Sequence, residues 1–253
     1  MHIEMSSDSD RGLVRERNED CVLILPEHRL AILSDGMGGH RAGDVASSIA
    51  VDVVAESLTG RIKELSLELG RKSDGPFPQS EDLCEAIEAA NEQILQTART
   101  QPECYGMGAT IVVASLCGAQ FLAAHLGDSR AYRLRGERFE QLTEDHTLAQ
   151  QYLRDGGPML AQESYGYARS MLLRGLGIAE VIQPDITTEK LAVGDVFLLC
   201  SDGLTDAISD KAIRDILLAA EDTLDETVAS LIAAANDSGG PDNISVALMQ
   251  VKE

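Results

Sequence analysis

Ser34-Asp35-Gly36-Met37-Gly38-Gly39-His40 follows directly on the apolar run Leu30-Ala31-Ile32-Leu33. That run has the length and boundary of a buried strand, so Asp35 is expected at a strand end. Glycine reaches positive φ and lets other groups approach the backbone closely, so the Asp35 carboxylate and the Gly36 carbonyl can face one ligand. An Asp-Gly step alone is an ordinary turn signal. Two later aspartates share the context. Asp202 follows Val196-Phe197-Leu198-Leu199-Cys200 inside a second Ser-Asp-Gly triplet, and Asp242 precedes the apolar run from Ile244 to Val251. If these strands are neighbours, their ends bring three carboxylates into one cleft.

The rest of the chain supplies the sheets and covers. Residues 1–9 alternate as a first strand. Cys21-Val22-Leu23-Ile24-Leu25, the turn Pro26-Glu27-His28 and the Leu30 run form a hairpin. From Ala42 the period is helical, with Val45, Ile49 and Val53 in one row and Ala46, Ala50, Val54 and Leu58 in the next. Lys72 to Gln79 is a loop, and a second amphipathic helix spans about 81–99 with acidic residues in its first turn. Strand candidates at 109–116, 119–126, 129–135 and 137–142, joined by short turns, predict an antiparallel meander. Residues 148–177 show little periodicity. Strands follow near 182–188 and 196–200, then helices near Ser209 and at Thr223, where Thr223-x-x-Glu226 is a capping box. The order is not βαβ alternation. It predicts an α+β fold with helices layered on antiparallel sheets, in a single domain over 1–253.

Composition narrows the function. The 253 residues are 44% hydrophobic and 25% charged, which fits a globular core. A net charge of −21 argues against nucleic acid or an anionic membrane as partner. The five cysteines, Cys21, Cys84, Cys104, Cys117 and Cys200, have no Cys-x-x-Cys spacing, so they read as buried residues of a reducing compartment. Met1-His2-Ile3-Glu4 has no signal-peptide pattern, and the mostly apolar stretch 108–127 reads as two β-branched strands rather than a membrane span. A cytoplasmic location is expected.

The chemistry follows from the donor set. Carboxylates with a backbone carbonyl make a hard oxygen site suited to Mg²⁺ or Mn²⁺, without the thiolates and imidazoles that favour zinc. A carboxylate bridging two such ions would hold a shared hydroxide for in-line attack on phosphorus. Arg15, in the charged cluster Arg15-Glu16-Arg17-Asn18-Glu19-Asp20, is suited to forked contacts with phosphoryl oxygens. There is no Gly-x-Ser-x-Gly elbow, no phosphate-binding Gly-Lys-Ser/Thr loop and no His-Glu-x-x-His.

Taken in order, these motifs resemble the metal-dependent serine/threonine phosphatases of the PP2C (PPM) family in their compact bacterial form. The resemblance rests on Asp10-Arg11-Gly12 with Arg15-x-x-Asn18-Glu19-Asp20, Asp35-Gly36-Met37-Gly38-Gly39-His40 and Met107-Gly108-Ala109-Thr110. It continues through Gly127-Asp128-Ser129-Arg130, Asp145-His146-Thr147, Ser201-Asp202-Gly203-Leu204-Thr205-Asp206 and Gly240-Pro241-Asp242-Asn243. It implies a four-layer α-β-β-α sandwich, two antiparallel sheets flanked by helix pairs, with a variable flap at about 148–177. It implies two Mn²⁺ or Mg²⁺ ions, held by Asp35 as the bridge, the Gly36 carbonyl, Asp202 and Asp242. Asp128 with Asp202 would take a third, weaker metal, Asp145 being a lesser helper. Arg15 would hold the phosphate, Asp20 would act through metal-bound water, and His40 would protonate the leaving alkoxide. His146 is expected to be structural. The implied function is hydrolysis of phosphoserine and phosphothreonine by a metal-bridging hydroxide. The partners are then phosphorylated proteins, with a bacterial Ser/Thr kinase opposed, and the chain is a monomer. The competing readings are a catalytically silent scaffold module, or a phosphatase of small phosphoesters or phosphotyrosine. Two departures stand out: Gly108-Ala109-Thr110 has Ala where the family has a second Thr, and Arg169-Ser170-Met171-Leu172-Leu173-Arg174 replaces Arg-Asn-x-Leu-Thr-Arg in the flap.

Overall fold

A computed structural model describes residues 2–38, 42–69, 77–157, 162–219 and 223–253. Two antiparallel sheets face each other. The first runs β1 (His2–Asp10), β11 (Ile244–Lys252), β10 (Val196–Cys200), β7 (Arg130–Arg135), β8 (Arg138–Gln141). The second runs β2 (Asp20–Leu25), β3 (Leu30–Met37), β5 (Ile111–Cys117), β6 (Gln120–Leu126), β9 (Asp185–Lys190), and the short β4 (Gly108–Ala109) pairs with β3 past the end of β5. Helices α1 (Gly43–Leu69) and α2 (Ser80–Thr100) cover the second sheet, and α5 (Asp202–Ala207), α6 (Asp210–Ala219) and α7 (Leu224–Asp237) cover the first. Two short helices, α3 (Leu148–Arg154) and α4 (Gln162–Arg169), fall in the expected flap.

Strand side chains alternate between faces, and here both faces are covered, which is why the central strands read as unbroken apolar runs. Leu30 and Ile32 pack under α1 and α2, while Ala31 and Leu33 point between the sheets. On the other sheet Leu198 and Cys200 face the helices, and Phe197 and Leu199 face inward. Phe121 of β6 and Phe197 of β10 stack across the interior with ring centres 4.2 Å apart. Along α1, Ala46, Ala50, Val54 and Leu58 are buried, with Val45, Ile49 and Val53 half-buried beside them, so the two helical rows face the sheet as read. The capping box at α7 is present: Thr223 Oγ1 accepts from the Glu226 N–H at 3.3 Å, and Glu226 accepts from the Thr223 N–H at 3.0 Å.

The expected meander breaks after β6. That strand pairs with β9, whereas β7 joins the opposite sheet between β10 and β8. Gly127-Asp128 is therefore a crossing between sheets and not a hairpin turn. Gly127 makes the crossing at φ 112°, where an added Cβ would lie 2.7 Å from the Thr110 side chain. A turn signal shows that the chain bends, and it does not say which sheet the next strand joins. The stretch 108–127 contains the β5–β6 hairpin, and among the described residues no helix is long and apolar enough to cross a membrane. The cysteines are free. The expected loop of 72–79 lies mostly outside the described residues.

Candidate metal centre

The sandwich places the strand-end aspartates at one edge. Asp20 opens β2 and lies directly opposite Asp35 in the β2–β3 register. Asp202 is the first residue of α5, immediately after β10, and Asp242 lies two residues before β11, the strand paired with β10. Asp128 enters from the crossing between sheets. Ser34-Asp35-Gly36 and Ser201-Asp202-Gly203 read alike but fold differently. The first continues β3, whereas the second ends a strand and starts a helix, which the turn reading of Ser-Asp-Gly missed.

Burial, then mutual repulsion, dominates this cluster. The Asp35 carboxyl is pushed well above its ordinary range by burial and by the charges of Asp20, Asp202, Asp128 and Asp242. Asp20 is pushed up to about 7 by burial, with Asp202 and Asp242 adding to it, and Asp128 to about 8 by burial and Asp202. Asp202 is pushed up to about 6 by burial, with the charges of Asp242 and Asp206 adding to it. One oxygen of Asp20 and one of Asp202 are buried with no hydrogen-bond partner. An uncompensated buried carboxylate is costly, so a cluster of this kind fits a site for cations. The backbone fits as well. At Gly43, an added Cβ would come within 2.8 Å of both the Glu19 carboxylate and the Gly36 carbonyl, so the missing side chain keeps that carbonyl accessible.

Neutral groups hold the carboxylates in place. Ser201 Oγ donates to Asp20 at 2.7 Å and accepts from the Ser245 N–H at 3.0 Å. The Asp35 N–H donates to Thr110 Oγ1 at 3.0 Å, the Thr110 N–H donates to the Asp35 carbonyl at 2.8 Å, and Thr110 and Ser129 share a 2.7 Å hydroxyl contact. Ala109 is fully buried, and Thr110 supplies these contacts, so the Ala109 departure removes none of them. Within the first sheet, the start of α5 presses on the entry to β11 at Gly203, where an added Cβ would lie 1.9 Å from the Asn243 carbonyl. That contact is with backbone and cannot swing aside. Gly203→Ala is expected to destabilise the fold by about 1–3 kcal/mol or more, as overpacking does, and to shift Asp202 against Asp242. Thermal unfolding with and without Mn²⁺ would measure both effects, and an unchanged Tm would refute the close approach.

Arg15 sits at the rim with its side chain 52% exposed and donates to Asp242 at 2.6 Å. Asp145 lines a cavity shared with Asp128 and Asp202, and its charge helps to raise Asp128. It is clamped by the Arg130 fork at 2.8 and 2.6 Å, and so is already paired. That cavity, of about 340 Å³, has a wall that includes Tyr165, Gly166 and Arg169 of α4. Arg169 is ion-paired with Asp206 of α5, so the flap helix is tied to the element that starts at Asp202. His40 lies outside the described residues.

The comparisons with known proteins agree with this geometry. The family model described as protein phosphatase 2C matches residues 14–244. The chain belongs to the protein phosphatase 2C family. It is 35% identical to the serine/threonine phosphatase Stp of Listeria welshimeri, over 99% of this chain and 96% of that one. It superposes on the crystal structure of the Mycobacterium tuberculosis serine/threonine phosphatase PstP with a TM-score of 0.84, at 34% identity and full coverage of both chains. A structure of the PstP catalytic domain in complex with two manganese ions matches with a TM-score of 0.83, at 34% identity over 99% of each chain.

For a protein phosphatase 2C chain, the sequence reading missed the groups that hold the aspartates. Ser201 and Asn243 stand beside Asp202 and Asp242 in the quoted motifs, and Thr110 lies within another, so the signal was adjacency. A second cluster, His125, His146 and Asp185, has the composition of a metal site. Its rings are already engaged: His146 Nδ1 accepts from the Gly127 N–H at 3.0 Å, and His125 Nε2 contacts the Glu144 carbonyl at 2.9 Å. Arg174 lies 2.7 Å from His146 Nε2 and 2.8 Å from Asp185, so the positive charge is already supplied. This cluster braces the Gly127-Asp128 crossing, in keeping with a structural His146.

Proposed function

We infer that the chain is a metal-dependent protein phosphatase that hydrolyses phosphoserine and phosphothreonine. The observation that carries this reading is the buried carboxylate cluster with the exposed Arg15 guanidinium at its rim, in a chain of this family. Asp35, the Gly36 carbonyl, Asp202 and Asp242 are the residues we assign to two Mn²⁺ or Mg²⁺ ions, and Asp128 with Asp202 to a third, weaker one. When bound, such ions supply Lewis-acid polarisation of the phosphoryl oxygens and a water acidified toward neutral pH. The remaining work falls to the chain itself. Arg15 binds and orients the phosphate as a charged fork. Asp20, fixed by the Ser201 hydroxyl, is assigned the orientation of water. His40, placed by its motif alone, is assigned the proton for the leaving alkoxide. The substrates are then phosphorylated proteins in the cytoplasm, opposite a Ser/Thr kinase, and the chain acts as a monomer.

The test is hydrolysis of a phosphothreonine peptide with and without Mn²⁺. Turnover that needs the metal supports the reading, and a folded, Mn²⁺-loaded protein without turnover points to a scaffold module. Arg15→Ala is expected to raise KM by about 10-fold or more, the scale of a lost charge-assisted hydrogen bond, with a smaller change in kcat. A pure kcat effect would contradict a phosphate-holding role.

A further inference from the structure

Asn243 is buried, 5% exposed, and its amide is committed on both sides. Its Nδ2 donates to the carbonyls of Arg11 and Arg17, both at 2.8 Å, and its Oδ1 accepts from the Glu19 N–H at 2.8 Å. Those three contacts span both feet of the segment that carries Arg15. The segment has other fastenings: the Leu13 and Val14 N–H groups share the Gly240 carbonyl at 2.9 and 3.2 Å, the Gly12 N–H donates to Asp10 at 2.8 Å, and exposed Arg11 reaches the Glu16 carbonyl at 3.4 Å. Among the described residues only the Asn243 amide holds both ends from a buried position. Gly12, at φ 75°, fits its Cα against the Asp242 carbonyl where a Cβ would lie 2.1 Å away. Residues 11–17 contain no helix or strand to give them a shape of their own. Arg15 itself has a long, exposed stem, and its one polar contact among the described residues is to a carboxylate of the cluster. A guanidinium recognises a phosphate well only when its fork is already oriented, because ordering a long side chain and its loop weakens binding.

We propose that Asn243 is a positioning residue for substrate phosphate: its side-chain amide closes residues 11–17 into a fixed loop and so sets the place of Arg15. The proposal rests on the phosphate-holding role assigned to Arg15 above. It separates Asn243 from its neighbour Asp242, whose assigned task is the metal. Asparagine suits the task because one planar amide offers two donors and an acceptor. Aspartate has the same shape but would aim an oxygen at two carbonyl oxygens, so the clamp would open while the Glu19 contact stays.

The test uses Asn243→Asp and Asn243→Ala in the full chain, with the phosphothreonine peptide and saturating Mn²⁺. Both variants are expected to raise KM, and the inhibition constant of inorganic phosphate with it, by about 10-fold, the scale of one or two lost net hydrogen bonds. The kcat should stay within about threefold, the mark of lost uniform binding. Calorimetric titration with Mn²⁺ alone should give wild-type affinity. In an Arg15→Ala background, neither variant should add to the rise in KM, because groups acting through one another are not additive. Additive effects, a fall in Mn²⁺ affinity that tracks the loss of activity, or a kcat loss at constant KM would each overturn the proposal. So would the unfolding of both variants, which would make Asn243 a folding residue. Absence of turnover in the wild type counts against the phosphatase reading instead, and phosphate binding by the Mn²⁺-loaded protein then still reads the clamp.

Discussion

Asp35→Asn is expected to remove metal-dependent turnover and, in the same protein, to raise the melting temperature without metal. The two outcomes have one cause. Asp35 is pushed up by burial first and by four neighbouring aspartates after it, so its negative charge is a burden on the metal-free fold. The amide has the same shape and keeps the backbone contacts to Thr110, but it has no charge to repel Asp20 or Asp202. For a chain of this size each kcal/mol relieved raises Tm by about 2–4 °C. Function moves the other way. A neutral amide is a poor ligand for a hard divalent cation. Changing even the partners of a metal ligand costs about 10–100-fold in affinity or activity, so losing the assigned bridge should cost more than about 100-fold. Mn²⁺ should also stop stabilising the variant, because a ligand raises Tm only as far as it binds the native state. Thermal scans in EDTA and in Mn²⁺, beside the peptide assay, read all three effects. Retained turnover, or Mn²⁺ stabilisation equal to wild type, would remove Asp35 from the site.

Asp35, Asp202 and Asp242 were legible because each abuts an apolar run, and strands buried on both faces give runs with sharp ends. Their convergence was not legible. It depends on β11 lying between β1 and β10 and on Asp20 standing opposite Asp35, which are facts of register and strand order. The same limit explains the broken meander. Gly127-Asp128 announces a bend, and the choice between hairpin and crossing is made by β9, whose residues lie nearly sixty positions later and take the edge of β6. The helix at Asp202 was hidden for a local reason. Asp202-Gly203-Leu204 offers a turn signal, and what stabilises the helix is the packing of Leu204 under α7, together with Gly203 against Asn243. Asp145, beside His146, was expected only as a lesser helper for a third metal, and nothing in the sequence signalled that the Arg130 fork, fifteen residues earlier, clamps it. Position in a motif indicates which residues gather, and only geometry shows which charges are left free.

The free charges give the molecule a stability that depends on both pH and metal. Between the ordinary carboxylate range and about pH 7–8 the metal-free fold binds more protons than the unfolded chain, since Asp20 is held near 7 and Asp128 near 8. Stability rises with pH only where the unfolded chain binds more protons, so over this interval the cluster makes the fold weaker as pH rises. Below about pH 7 an opposing effect enters. His146 is pushed down to about 4, and His125 is lowered too, both by burial. Those histidines make the fold stronger as pH rises toward the ordinary histidine range, and above it they are neutral in both states. At the acid end Asp185, held down near 2 by Arg174 and His146 against its burial, contributes stability that is lost as pH falls below about 4. The cleaner window is therefore about pH 7.2–8, where the histidines are largely neutral in both states and the carboxylates dominate. One to two extra protons held by the fold across that window of about 0.8 pH unit weaken it by about 1.4 kcal/mol per proton per pH unit, or a Tm drop of roughly 5 °C. Mn²⁺ should cancel the slope, because metal competes with those protons and binds more tightly as they leave. The Tm in calorimetric scans at about pH 7.2, 7.6 and 8.0 in EDTA should thus fall, and in the same scans in Mn²⁺ it should be flat or rise. A metal-free Tm that does not fall across this window would mean that the carboxylates are not crowded as the fold places them.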